Sequence, residues 1–222
     1  MKNKLISFDK KVFIKVVIGI VLAAALAAID QLTKWLVVSN MQLHESIHLI
    51  KFGDTQVLNL SYYLNDGSAF SMFEGQTTML IVVTCAMMTA MLVAMLIGKV
   101  KRTSYILAFS LVIGGGVGNL IDRVFNDGKV IDFIDVRIIN FAIFNFADIC
   151  AVCGGILLCV LVLLDEIRDR KAAKKAKAEG NDAEAAPEQK NDEASAVSEK
   201  PIEEKEAPAE EKNEESNENG ND

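Results

Sequence analysis

Asp148 is a carboxylate in a place where carboxylates are expensive. It lies inside the apolar run Phe141–Leu164, in the string Phe144-Asn145-Phe146-Ala147-Asp148, about one and a half turns in if the whole run is helical. An ionisable group in a membrane-length segment costs roughly 2.5–3.5 kcal/mol on insertion scales, so it marks a functional site by default. Further carboxylates stand close in sequence: Asp132 and Asp135 in Val130-Ile131-Asp132-Phe133-Ile134-Asp135, and Asp122 in Asn119-Leu120-Ile121-Asp122-Arg123. Two carboxyl groups brought together at a membrane surface suit acid–base chemistry on a peptide bond. Like charges in contact cannot both ionise, so one keeps a proton. The ionised member can then take a proton from water while the other hydrogen-bonds the scissile carbonyl, with no metal or other cofactor.

Asp148 is one member of such a pair, and three residues compete to be the other. Asp122 falls at the end of an apolar run, where a helix C-terminus disfavours negative charge. It is expected to lean on Arg123 or Lys129 as a structural partner. Asp132 has apolar neighbours on both sides, an environment suited to raising its pKa. Asp135 reads as a surface charge. Asp132 is the better partner.

The elements that must position these groups are apolar and long. Four runs, Val12–Ala28, Thr78–Ile97, Thr103–Ile121 and Phe141–Leu164, approach or exceed the ~20 residues needed to cross a bilayer as a helix. Lys15, inside the first, can snorkel to the interface. The chain therefore reads as an all-α membrane protein with four transmembrane helices. A basic start, an apolar stretch and Ala25-Leu26-Ala27 imitate a cleavable signal. Cleavage would leave three spans, and Asp30 and Lys34 follow at the i,i+4 spacing of a continuing helix, so the first span is expected to be retained.

Orientation follows from the basic residues. Lys2, Lys4, Lys10 and Lys11 precede span one; Lys99, Lys101 and Arg102 fill the turn between spans two and three; Arg168, Arg170, Lys171, Lys174, Lys175 and Lys177 follow span four. Four crossings put all three clusters on one side, so both termini are expected in the cytoplasm and loops 29–77 and 122–140 outside. Val57–Leu64 and Val130–Val136 have strand character, the first running into the turn Asn65-Asp66-Gly67-Ser68-Ala69-Phe70. They predict a small β-rich extracytoplasmic cap. Gly114 and Gly118 form a small-xxx-small face for close helix packing.

Beyond residue 178 the composition changes. Residues 179–222 hold sixteen Asp/Glu and four Lys/Arg, a net of −12, whereas the whole chain carries −7, leaving +5 for residues 1–178. This tail has almost no bulky apolar residues and is expected to stay disordered. Domain organisation is thus a four-span domain, 1–178, and an acidic tail, 179–222.

Two patterns invite other chemistry. His44-Glu45-Ser46-Ile47-His48 matches the H-E-x-x-H of zinc proteases, which needs both His on one helical face and a third ligand. No further His exists in the chain. The flanking Met41, Leu43, Ile47, Leu49 and Ile50 read instead as an interfacial amphipathic helix. Cys85, Cys150, Cys153 and Cys159 all fall within spans and read as small hydrophobes.

Five motifs in order carry a resemblance: Asp30-x-x-x-Lys34, Asn65-x-Gly67-x-Ala69-Phe70, Gly114-Gly115-x-x-Gly118-Asn119-x-x-Asp122-Arg123, Val130-x-Asp132-Phe133 and Phe144-Asn145-x-Ala147-Asp148. Together, over residues 12–165, they resemble the lipoprotein signal peptidases (signal peptidase II). The resemblance implies an intramembrane aspartyl endopeptidase of the bacterial cytoplasmic (inner) membrane. It would cut signal peptides from prolipoproteins just before a cysteine carrying a diacylglyceryl group. It also implies Asp132 as the partner of Asp148. Asn65, Asn119, Arg123 and Asn145 would hold the substrate backbone; Asp30, Lys34, Gly67 and Asp122 would give structural support. Such an enzyme acts as a monomer on prolipoproteins amid membrane lipid, with no metal and no nucleic acid. A zinc membrane protease using His44 and His48 and a non-catalytic four-span scaffold are the rivals.

Overall fold

Helix α1, Lys10–Asn40, is 31 residues long, about 46 Å at 1.5 Å per residue, and so outruns a hydrocarbon core of about 30 Å. Its buried residues, Val12, Val16, Gly19, Ala23, Ala27, Asp30, Lys34 and Val37, follow one another at steps of three or four and form a single stripe. Helices α2, Thr77–Leu96, α3, Thr103–Phe125, and α4, Phe146–Glu184, complete the set. All four are long and apolar enough to cross a membrane. Their outer faces carry exposed Phe13, Ile18, Val82, Val152 and Leu163, as lipid-facing surfaces should. This computed structural model describes residues 10–66, 77–139 and 141–184. Gly67 with the rest of its motif through Phe70, Lys2 and Lys4, and tail residues 185–222 lie outside the described residues.

Packing between helices relies on glycine. A side chain on Gly19 would strike Ile106 and Ser110, and one on Gly114 would strike Ala23 and Leu26, so α1 and α3 pack closely along much of their length. At one end of the bundle Val12, Val16, Met95 and Ile106 form an apolar cluster. At the other end lies the sheet.

That sheet has three antiparallel strands in the order β1-β2-β3: Ser46–Phe52, Thr55–Asn65 and Val130–Val136. Phe133 of β3 packs on Val37 and Met41 at the far end of α1, with Leu60, Tyr62 and Phe146 around them. The sheet is thus seated at the Val37 end of α1, away from the Val12 cluster.

Two expectations are corrected here. The segment around His44–Ile50 is not an amphipathic helix. Residues from Ser46 onward form β1, paired with β2 from Ser46↔Ser61 to Phe52↔Thr55, because a neighbouring strand satisfies its backbone. The fourth helix does not begin at Phe141. Phe144 pairs with Ile134 and the helix starts at Phe146, so Asp148 is its third residue rather than one and a half turns inside. Its other end runs to Glu184, through Ala, Lys and Glu that favour helix.

Candidate active site

Helices α1, α3 and the first turn of α4 meet at Gly118. A methyl group there would fall on the Asp30 carboxylate and press on Ala147, and one on Gly115 would collide with the Ala147 carbonyl oxygen. Only glycine lets the start of α4 come this close.

That first turn is built by a reciprocal cap. Asn145 Oδ1 accepts a hydrogen bond from the Asp148 amide at 3.0 Å, and Asp148 Oδ2 accepts one from the Asn145 amide at 3.0 Å. This is the capping-box arrangement, with Asp in the role Glu or Gln often fills. The neighbouring amide, Ala147 N, donates to Asp30 Oδ1 at 2.9 Å. Asp148 therefore sits at the positive end of a helix dipole and accepts a backbone hydrogen bond there.

Strand β3 delivers Asp132 to the same place. Asp132 is 2 % exposed. Its Oδ1 accepts from Asn145 Nδ2 at 2.7 Å and its Oδ2 from Asn65 Nδ2 at 2.9 Å. Asn119 Nδ2 donates to Asp148 Oδ1 at 2.8 Å, while Asn119 Oδ1 accepts from Asn145 Nδ2 at 3.0 Å. Two amides therefore link the two carboxyl groups. Burial, and then the charge of Asp148, push the Asp132 carboxyl up to about 7, against the opposing pull of the Asn65 and Asn145 hydrogen bonds.

The contact from Asn65 depends on an irregularity in β2. Asn59 lies opposite Asp135, and Asn65 is six residues on, so an unbroken strand would turn both to the same face. Asp132 is on the other face of β3. Between Leu60↔Ile134 and Tyr63↔Asp132, however, Ser61 and Tyr62 oppose Phe133 alone. This bulge reverses the alternation and aims Asn65 at Asp132.

Asp132, Asp148, Asn65, Asn119 and Arg123 all line one cavity of about 540 Å³. Leu80 of α2, Phe141 and Val152 help form its apolar wall. Arg123 interacts electrostatically with Asp148, Asp132 and Asp122.

Beneath the cavity is a buried ion cluster. Lys34 Nζ lies 2.8 Å from Asp30 Oδ2 and 2.8 Å from Asp122 Oδ2, and donates to Asn119 Oδ1 at 2.9 Å. Asp122 was expected to lean on Arg123 or Lys129; Arg123 does interact with it electrostatically, and its close contacts are Lys34, Gln31 Nε2 at 2.8 Å and the Ile131 amide at 3.0 Å. The α1 stripe brings Lys34 to it from a distant part of the chain. Through Ile131, Asp122 holds the start of β3 next to Asp132. Asp135 is not a surface charge: it is 3 % exposed, accepts from Ser61 Oγ and pairs with Arg137, because its side chain turns under the sheet.

Gln31 was missed in the sequence, although its place between Asp30 and Lys34, at the end of an apolar run, was a signal. The two histidines do not share a helical face. His44 is in a turn with φ 68°, and His48, on β1, pairs its Nδ1 with Asn59 Oδ1 at 3.0 Å.

The chain is similar to known proteins. The sequence profile of the family described as Signal peptidase (SPase) II matches residues 22–164. The chain is 38% identical over 150 residues to a lipoprotein signal peptidase of Brevibacillus brevis, covering 67% of this chain and 97% of that one. It is 37% identical over 159 residues to one of Halalkalibacterium halodurans, covering 71% and 96%. A solved bacterial membrane enzyme superposes with a TM-score of 0.61 at 31% identity, covering 67% of this chain and 88% of the other.

Proposed function

Since the chain belongs to the signal peptidase II family, an aspartic-type peptidase family, we propose that it cleaves signal peptides from prolipoproteins with Asp132 and Asp148 as its catalytic pair. The cut falls immediately before a cysteine that already carries a diacylglyceryl group. The observation that carries this reading is the pairing of two aspartates in one cavity, linked by Asn119 and Asn145. Asp148, under a helix N-terminus, is the ionised base. Asp132, buried and raised to about 7, holds the proton.

In that scheme Asp148 takes a proton from water, whose oxygen attacks the scissile carbonyl carbon. Asp132 meanwhile hydrogen-bonds the carbonyl oxygen and offsets the charge that develops there. As the tetrahedral carbon collapses, a proton passes to the leaving nitrogen and the C–N bond breaks. Asn65 and Asn145 hold Asp132 in place; Arg123 and Asn119 stand on the cavity wall within reach of an extended substrate backbone. The apolar wall from Leu80 to Val152 suits the acyl chains of a lipid-modified cysteine. The three basic clusters support a multi-pass orientation with both termini in the cytoplasm.

The test is cleavage of a diacylglyceryl-modified prolipoprotein by the purified chain in bilayer nanodiscs. Asp132→Asn and Asp148→Asn should each abolish turnover, and the double variant should be no worse than either, as for groups that act as one unit. Full activity in either single variant would defeat the reading.

A further inference from the structure

Lys34 is 1 % exposed, and its ammonium has three protons. Each has one acceptor: Asp30 Oδ2, Asp122 Oδ2 and Asn119 Oδ1. The third contact is the informative one. An ammonium can only donate, so the Asn119 atom facing it must be the oxygen, and the Asn119 NH₂ must point the other way, to Asp148 Oδ1 at 2.8 Å. The ion cluster thus reads out on the catalytic pair through the orientation of a single amide.

We propose that Lys34 is a positioning residue of the catalytic pair: it fixes the Asn119 amide so that its NH₂, not its oxygen, meets Asp148 and holds that carboxylate in place as the base. This rests on the aspartyl reading above. A reversed Asn119 would present an oxygen to Asp148, a contact that favours a protonated Asp148 instead. Both aspartates would then hold protons and the pair would lack its base.

Asn145 does not fix Asn119 on its own. Its Nδ2 has two protons, yet three acceptors lie around it: Asp132 Oδ1 at 2.7 Å, Asn119 Oδ1 at 3.0 Å and the Ile131 carbonyl at 3.3 Å. The carboxyl contact is the shortest, and the Ile131 carbonyl can take up the second proton when Asn119 turns. Among the described residues, Lys34 has no alternative partner for its third proton. The charged groups around the linkage are Asp30 on α1, Asp122 and Arg123 on α3, Asp132 on β3 and Asp148 on α4.

The experiment follows the pH profile of prolipoprotein cleavage by the full chain in nanodiscs. For Lys34→Met we expect kcat to fall at least about tenfold with KM within about threefold, and the acid limb of the profile to move up by about one pH unit. Lys34→Met leaves two buried carboxylates without their cation, so a second variant guards against misfolding. Lys34→Met/Asp122→Asn removes one charge of each sign and keeps the net charge of the cluster; its acid limb should move the same way. Asn119→Leu should reproduce the shift, and combining it with Lys34→Met should add nothing further. An unmoved acid limb in a folded Lys34 variant, or losses that simply multiply in the combination, would overturn the proposal. The Asp132→Asn and Asp148→Asn controls separate the two claims. If they are inactive while the acid limb stays put, only the role of Lys34 fails; if they are active, the catalytic pair itself fails.

Discussion

Asp132 and Asp148 have the same side chain and opposite surroundings, and the pH dependence of activity should show the difference. Burial and the charge of Asp148 hold the Asp132 proton until about pH 7, so activity that needs this proton should decline as pH rises through 7. Asn65 donates to the Asp132 carboxylate and so favours its loss of the proton. Asn65→Leu should therefore keep Asp132 protonated to higher pH and move the alkaline limb up, by about half a unit or more, even as kcat falls. A limb that moves down, or stays, in the measured profile would contradict this. At this scale much could be read from the sequence. Asp148 stood out inside an apolar run, and Ile131 and Phe133 marked Asp132 as a group to be buried. The partners of Asp122 could not be read, since Lys34 and Gln31 lie some ninety residues away and only packing of α1 on α3 brings them near.

Elements meet at Gly118, and a methyl group there tests how closely the site depends on them. Gly118→Ala would push on the Asp30 carboxylate and on Ala147, displacing the first turn of α4. We expect a stability loss of about 1–3 kcal/mol and at least a tenfold fall in kcat, measured by thermal unfolding and turnover. Gly155→Ala, on the same α4 but with nothing within 4 Å, should leave both unchanged or raise stability slightly. The four helices and strands β2 and β3 were legible from run length and alternation. On α1 only the Asp30–Lys34 spacing stood out, and β1 was read as an amphipathic helix. Two further features were hidden. Apolar composition cannot tell an extended Phe141–Phe144 from a helix, and what decides it is the pairing of Phe144 with Ile134. The β2 bulge is likewise invisible locally, because it is set by register against β3.

At the scale of the whole molecule, the sheet and the aspartates share one end of the helices, and the basic turn at Lys99–Arg102 lies at the other. The orientation proposed for the chain puts the sheet outside. A membrane-impermeant thiol reagent applied to intact cells should label a cysteine introduced at Asp54 and miss one introduced at Lys101, the native cysteines being replaced; the reverse pattern would invert the proposal. Fold class was readable at this scale because lipid as solvent demands long apolar helices. How the site's parts meet was not, because they come from the first and the last of the four helices. That last feature has a consequence in time. Asp30 and Lys34 are on the first span to leave the ribosome and Asp148 on the last. At about 5–20 residues per second, roughly 6–23 s separate the synthesis of Lys34 from that of Asp148. Throughout that interval the nascent chain holds Lys34 but lacks Asp148, so on the proposed pairing a peptidase working among half-inserted membrane proteins is born inert. Arrival of its fourth helix both finishes the fold and switches on the hydrolase.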